Sequence, residues 1–156
     1  MTKGPGKKAP WEYKREESLG YLVNLLGRVL ARALERRLVK HKVPLGQFPL
    51  LLTLWDEENL TQSEIARRLG IEQPTVANTL RRMERDGLVK TEPDPAHRRQ
   101  VLIKLTEKGR KLERPLKLEA LAVNQAAGAK SSAAELEGFR RTIGVLLRSL
   151  EEREGA

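Results

Sequence analysis

The chain has 156 residues, 33% of them charged and 39% hydrophobic, with 30 Lys and Arg against 21 Asp and Glu and a net charge of +9. That is one domain's worth of soluble globular chain, long enough to bury a core, and its basic surplus favours polyanions such as nucleic acid. The absence of cysteine excludes disulfides, thiolate nucleophiles, thiol redox switches and cysteine zinc sites.

No apolar run approaches the roughly 20 residues of a membrane span. The opening stretch MTKGPGKKAPWEYK lacks the apolar core of a signal peptide. A cytoplasmic protein with no membrane partner is therefore expected. His41 and His97 are too far apart in sequence for a short metal motif, and the chain has no Gly-rich phosphate loop, no His/Glu metal pair and no nucleophile with a nearby base. Neither enzyme activity, nor a cofactor, nor a metal is expected.

Residues 1–15 read as a basic flexible tail rich in Gly, Pro and Lys, with Trp11 and Tyr13 as its unusual aromatics. A long helix is expected over about 16–41, since Leu19, Leu22, Val23, Leu26, Val29, Leu30, Ala33 and Leu34 form a stripe of period 3.6. So long and apolar a helix suggests burial against more than its own chain. Pro44 ends it. A short helix over about 46–56 follows, with Pro49 in its first turn and Phe48, Leu51, Leu52 and Trp55 facing inward.

The stretch LTQSEIARRLGIEQPTVANTLRRMERDGLVK, Leu60 to Lys90, reads as two helices joined by a tight turn. Thr61 and Glu64 form a capping box, Ile65, Ala66 and Leu69 recur at helical spacing, and Gly70 stands where a left-handed cap is wanted. Ile71 is the apolar residue between the helices. The second helix starts near Gln73 with Pro74 in its first turn, buries Val76, Leu80 and Met83, and ends at Gly87. Gln73, Pro74, Thr75, Ala77, Asn78, Arg81 and Arg82 fall on its other faces. Short polar groups near a helix N-terminus suit base edges in a major groove, and arginines further along suit bases or phosphates. The same face by itself is also that of any solvated amphipathic helix.

After Gly87 the hydrophobic period drops from 3.6 to 2. Leu88, Val89 and Lys90 begin a strand, the segment Glu92 to Arg99 is a turn-rich hairpin tip, and Gln100 to Leu105 return with Val101, Ile103 and Leu105 on one face. A helix-turn-helix followed directly by a hairpin is a winged helix. Thr106 caps a helix over 107 to about 127, which Pro115 kinks near Glu113 and Arg114. Residues 128–131 form a turn. Ser132 with Glu135 is a second capping box, and the last helix carries Leu136, Phe139, Ile143, Leu146, Leu147 and Leu150 as a packing seam.

From Ser18 onward, about nine tenths of the chain, the sequence resembles the MarR family of transcription regulators. The resemblance is carried by LTQSEIARRLGIEQPTVANTLRRMERDGLV and HRRQVLIKLTEKGRKL, and by the order of the elements around them. It implies a mainly α fold with a small β-hairpin wing. The winged helix-turn-helix would span 44–106, flanked by a dimerisation region from residues 16–43 and 107–156. The implied function is that of a homodimer on pseudo-palindromic double-stranded operator DNA, commonly a repressor of nearby genes. The resemblance also implies release by a small aromatic or anionic effector bound between the dimerisation region and the winged helix. A sequence-blind nucleoid-type binder and a winged-helix protein-interaction module are the alternatives. The polar and basic face formed by Gln73, Asn78, Arg81 and Arg82 argues against the latter.

In the wing, Arg98 and Arg99 fit contact with the backbone and a narrow minor groove. Asn78 has the groups to pair with adenine. The chain departs from the family at two places. His97-Arg98-Arg99 stands where the family's wing carries Asp-Arg-Arg, with Asp94 nearby as a substitute carboxylate, and Asn78 stands where many members place an arginine. Tyr21, His41 and Trp55 lie in segments expected to border an effector pocket, though each is more readily a core or surface filler than a ligand contact.

Overall fold

Ser18 sets the start of the first helix: its hydroxyl accepts from the Tyr21 N–H at 3.3 Å, and α1 then runs Leu19–Leu38. The computed structural model describes residues 13–97 and 99–154. Most of the expected basic tail, Trp11 included, lies outside the described residues, as does Arg98. Short 3-10 turns, Arg15–Glu17 and Val39–His41, flank α1, so the long helix is present with tightened ends. Lys42, left-handed at φ 58°, turns the chain away before Pro44.

A third 3-10 turn, Leu45–Gln47, leads into α2, Phe48–Asp56, with Pro49 in its first turn. The chain then forms a two-residue strand, β1, Leu60–Thr61. Thr61 makes the expected capping box: its hydroxyl accepts from the Glu64 N–H at 3.3 Å, and the Glu64 carboxylate accepts from the Thr61 N–H at 2.7 Å. Helix α3, Gln62–Leu69, is closed by Gly70 at φ 60°, a conformation that costs most other residues about 1–2 kcal/mol. Helix α4, Gln73–Arg85, follows after only three residues, and Gly87 at φ 71° turns its end into the wing.

The wing strands are β2, Val89–Pro93, and β3, Val101–Leu105. The sheet has three strands rather than the expected two. Its order is β1-β3-β2, all antiparallel, with Ile103 opposite both Thr91 and Leu60. Val89, Ile103 and Leu105 are buried, but Val101, expected on the same face, is 48% exposed. It pairs with Pro93 at the outer end of the ladder.

The single helix expected over 107–127 is two. Thr106 caps α5, Glu107–Lys111, by accepting from the Gly109 N–H at 3.1 Å, and α6 runs Glu113–Gly128. The break at Leu112 lies three residues before Pro115, which has no N–H for the Lys111 carbonyl and crowds it with its ring. Ser132 and Glu135 form the second capping box and open α7, Ala133–Glu154.

The core is built by α2, α3, α4 and the sheet, joined by Leu38 from α1 and Leu116 from α6. Phe48 and Leu51 face inward as expected, Leu52 and Trp55 are half-buried, and Leu50 and Leu54 are also buried. A one-sided stripe does not describe α2, because α3, α6 and β3 all pack against it. Towards its N-terminus α1 leaves this core: Leu19 is 62% and Val29 53% exposed.

Candidate DNA-binding surface

Helix α4 is fastened to the body on one side and bare on the other. Val76, Leu80 and Met83 are buried, whereas Gln73, Pro74, Thr75, Asn78, Arg81 and Arg82 are exposed. Ala77, expected with them, is half-buried. It lies one residue from Val76 and so sits on the flank of the buried stripe rather than opposite it.

Both ends of α4 are held. At the start, the Gln62 side-chain amide donates to the Gln73 carbonyl at 3.4 Å, and the Ile71 N–H donates to the Ala66 carbonyl at 3.1 Å across the turn. At the end, the buried Gln47 donates through Nε2 to Asp86 Oδ2 at 2.9 Å, and Lys108 donates to the Asp86 carbonyl at 2.7 Å. The Gln47 amide first, and Arg85 second, hold the Asp86 carboxyl below the ordinary carboxylate range. The sequence reading missed this link, since the partners are 39 residues apart and no periodicity connects them. Thr91 donates to Glu84 Oε1 at 3.1 Å and ties β2 to the same end of α4.

The two wing strands are cross-linked by Glu92, near the outer end of the ladder, whose carboxylate lies 2.6 Å from both Lys104 Nζ and Lys90 Nζ. Those two ammonium groups lower the Glu92 pKa to about 2. Two of the wing's cations are thus engaged within the protein. At the tip, Asp94 Oδ1 accepts from the Ala96 N–H at 2.8 Å, and Oδ2 lies 3.3 Å from His97 Nδ1. The Ala96 N–H is the main cause of a lowered Asp94 pKa, with His97 adding to it. Asp94 thus holds the turn at the wing tip through Ala96 and His97, and among the described residues it makes no contact with a wing arginine. Arg99 is exposed and, like Arg82, makes no ion pair among the described residues.

The three residues expected to border an effector pocket do not converge. Tyr21 and His41 lie at opposite ends of α1, twenty residues and so about 30 Å apart. Tyr21 has the Arg15 guanidinium 5.9 Å from its ring centre. His41 Nε2 is 3.4 Å from Glu119 Oε1 on α6. Trp55 donates to the Gly109 carbonyl at 3.0 Å, meets Phe48 edge to face at 6.3 Å and carries Lys117 Nζ 5.8 Å from its ring centre. Each is thus engaged in joining elements of the chain.

A helix-turn-helix with a bare polar reading face, fastened at both ends and backed by a basic-tipped hairpin, defines a winged-helix DNA-binding protein. The MarR family model matches residues 41–100. The transcriptional regulator MgrA of Staphylococcus aureus is 30% identical over 114 residues, which cover 72% of this chain and 76% of MgrA. TtmR of Methylorubrum extorquens is 36% identical over 98 residues, 63% of this chain but only half of that longer relative. Two solved structures share the fold. Mutant MarR from E. coli complexed with operator DNA superimposes with a TM-score of 0.77 at 24% identity, covering 83% of this chain and 93% of that one. PcaV from Streptomyces coelicolor, in complex with its natural ligand, gives 0.78 at 25% identity, covering 89% and 98%. The chain belongs to the MarR family and is a DNA-binding transcription regulator.

Proposed function

We propose that the protein is a homodimeric, sequence-specific repressor that binds pseudo-palindromic operators near its own gene and is released by a small anionic aromatic effector. Residues 44–106 form the DNA-binding unit, and 16–43 with 107–156 form the dimerisation region. In this reading Gln73, Pro74, Thr75, Asn78, Arg81 and Arg82 enter the major groove with Ala77 at their edge, and Arg99 with its neighbour Arg98 contacts the backbone beside the minor groove. The observation that carries it is the α4 face: exposed amide and guanidinium groups on a helix whose start is bonded to α3 and whose end is bonded to the buried Gln47.

Dimerisation is supported by the apolar faces that a single chain leaves open. Leu19 and Val23 of α1 face Ile143, Leu146, Leu147 and Leu150 of α7 across an open apolar groove. Leu147 is 56% and Leu150 63% exposed. Contiguous apolar surface of this kind is covered in stable proteins. Effector release is supported by the relatives alone, since PcaV is found with its natural ligand and CouR from Rhodococcus jostii with p-coumaroyl-CoA. The mechanism would be a shift towards dimers whose α4 helices no longer match one turn of DNA. A 100-fold loss of affinity requires about 2.7 kcal/mol of coupling, which operator DNA must return on the effector.

Footprinting on the DNA upstream of the gene, with titration of the protected duplex and a scrambled one at fixed salt, tests the proposal. A ratio of about 10³ or more is expected. Equal affinity for both duplexes would replace it with a sequence-blind DNA binder.

A further inference from the structure

Asn78 and Arg81 are one helical turn apart on the exposed side of α4, and they are bonded to each other: Arg81 Nη2 donates to Asn78 Oδ1. Arginine has no acceptor, so the amide atom facing it must be the oxygen. What the pair leaves open is therefore mainly donors, with one lone pair of Asn78 Oδ1 left beside the guanidinium. Asn78 offers the two hydrogens of Nδ2, and Arg81 offers its remaining N–H groups, which have no other partner among the described residues.

We infer that Asn78 and Arg81 read DNA as one donor-rich, positively charged unit that selects guanine, and that Arg81 is the residue that withholds an adenine preference from Asn78. The inference rests on the proposal that α4 enters the major groove. An amide selects adenine by giving a hydrogen to N7 and taking one from N6, so it needs both its nitrogen and its oxygen free. Here the oxygen is engaged by a cation. Its second lone pair remains, but an adenine amino group reaching for it brings another positive hydrogen-bonding group against the guanidinium. Guanine presents N7 and O6, both acceptors, and both are drawn towards the same positive charge. Thymine offers a single acceptor and cytosine a donor, so each satisfies the pair less completely.

The test is selection of bound duplexes from a randomised pool by the full-length wild-type protein, R81A and N78A. Both residues are exposed, so both variants should fold. The wild type should enrich guanine over adenine by about tenfold at one position in each half-site, and N78A should lose that preference there. In R81A the freed amide should invert the preference to adenine at the same position. Replacing the selected guanine by 7-deazaguanine should weaken wild-type binding by a similar factor. Adenine at the N78A-sensitive position of the wild type, or guanine retained by R81A, would overturn the inference while leaving α4 as the reader. A motif unaffected by N78A, or no enriched motif at all, would overturn the placement of this face on the bases, and the inference with it.

Discussion

Gly109 occupies a place with no room for a side chain. A Cβ built there lies 2.2 Å from the Leu88 carbonyl oxygen and 3.1 Å from Leu105 Cδ2, so the backbone of β2's approach would have to move. The same residue gives its N–H to the Thr106 cap and its carbonyl to the Trp55 indole. The glycine in the Leu-Thr-x-x-Gly stretch is thus the point where α5 is pressed onto the wing's base. Gly109→Ala should destabilise the fold by about 2–3 kcal/mol, whereas Gly46→Ala, with nothing within 4 Å of its Cβ, should be near neutral. Urea denaturation of the two variants checks this. Arg99 is a residue of the opposite kind, exposed and without an ion pair among the described residues. Arg99→Ala should leave stability unchanged, weaken operator and scrambled DNA alike and lower the salt slope of binding by about one. Titrations over several salt concentrations measure it, and a change confined to the operator would move Arg99 from phosphate to base contact.

Between elements, the joint of α1 and α6 rests on Glu119. Its carboxylate lies 2.5 Å from Lys40 Nζ, 3.1 Å from Arg37 Nη1 and 3.4 Å from His41 Nε2. Lys40 first and Arg37 second lower its pKa from 4.5 to about 2. A carboxylate lowered on folding contributes stability that is complete above its unfolded pKa and is lost as the pH falls through the folded one. The contribution of Glu119 is therefore present at neutral pH and disappears between about pH 4.5 and 2. Glu119→Gln should lower the Tm at pH 7 and make its decline over that acid range shallower. Thermal scans of both proteins from pH 7 to 2 test it, and parallel curves would show that the cluster is idle.

The elements legible in the sequence are those whose signals are local. The two capping boxes, Gly70, Pro74 and the Val76-Leu80-Met83 stripe each act within a few residues, and each is found where the spacing puts it. Strand β1 escaped because two residues carry no period, and its partners in β3 are some forty residues away. The bonds that aim α4, from Gln47 and Lys108, are long-range for the same reason. Pro115 signalled a disturbance correctly, but whether it bends a helix or divides it depends on packing. The residues proposed to read DNA share one face of α4. Their roles depend on side-chain pairs such as Asn78 with Arg81, which helical spacing permits without specifying.

At the scale of the whole molecule, the winged helix has a closed core and the helices around it do not. Leu147 is 56% exposed in the single chain, so a charge there costs an isolated monomer little. Buried in a dimer seam without a partner, it would cost at least about 2 kcal/mol. Wild-type protein should sediment as a dimer at micromolar concentration and Leu147→Asp as a folded monomer with weakened operator binding. A stable wild-type monomer would remove the proposed dimerisation region. The most direct test of two coupled α4 helices is the spacing they impose on DNA. Their half-sites should lie about one turn apart, near 34 Å, and about five added base pairs rotate one of them to the far side of the duplex. The expected result of titrating that lengthened operator is affinity reduced to the level of scrambled DNA; affinity equal to that of the original operator contradicts a symmetric dimer reading both half-sites.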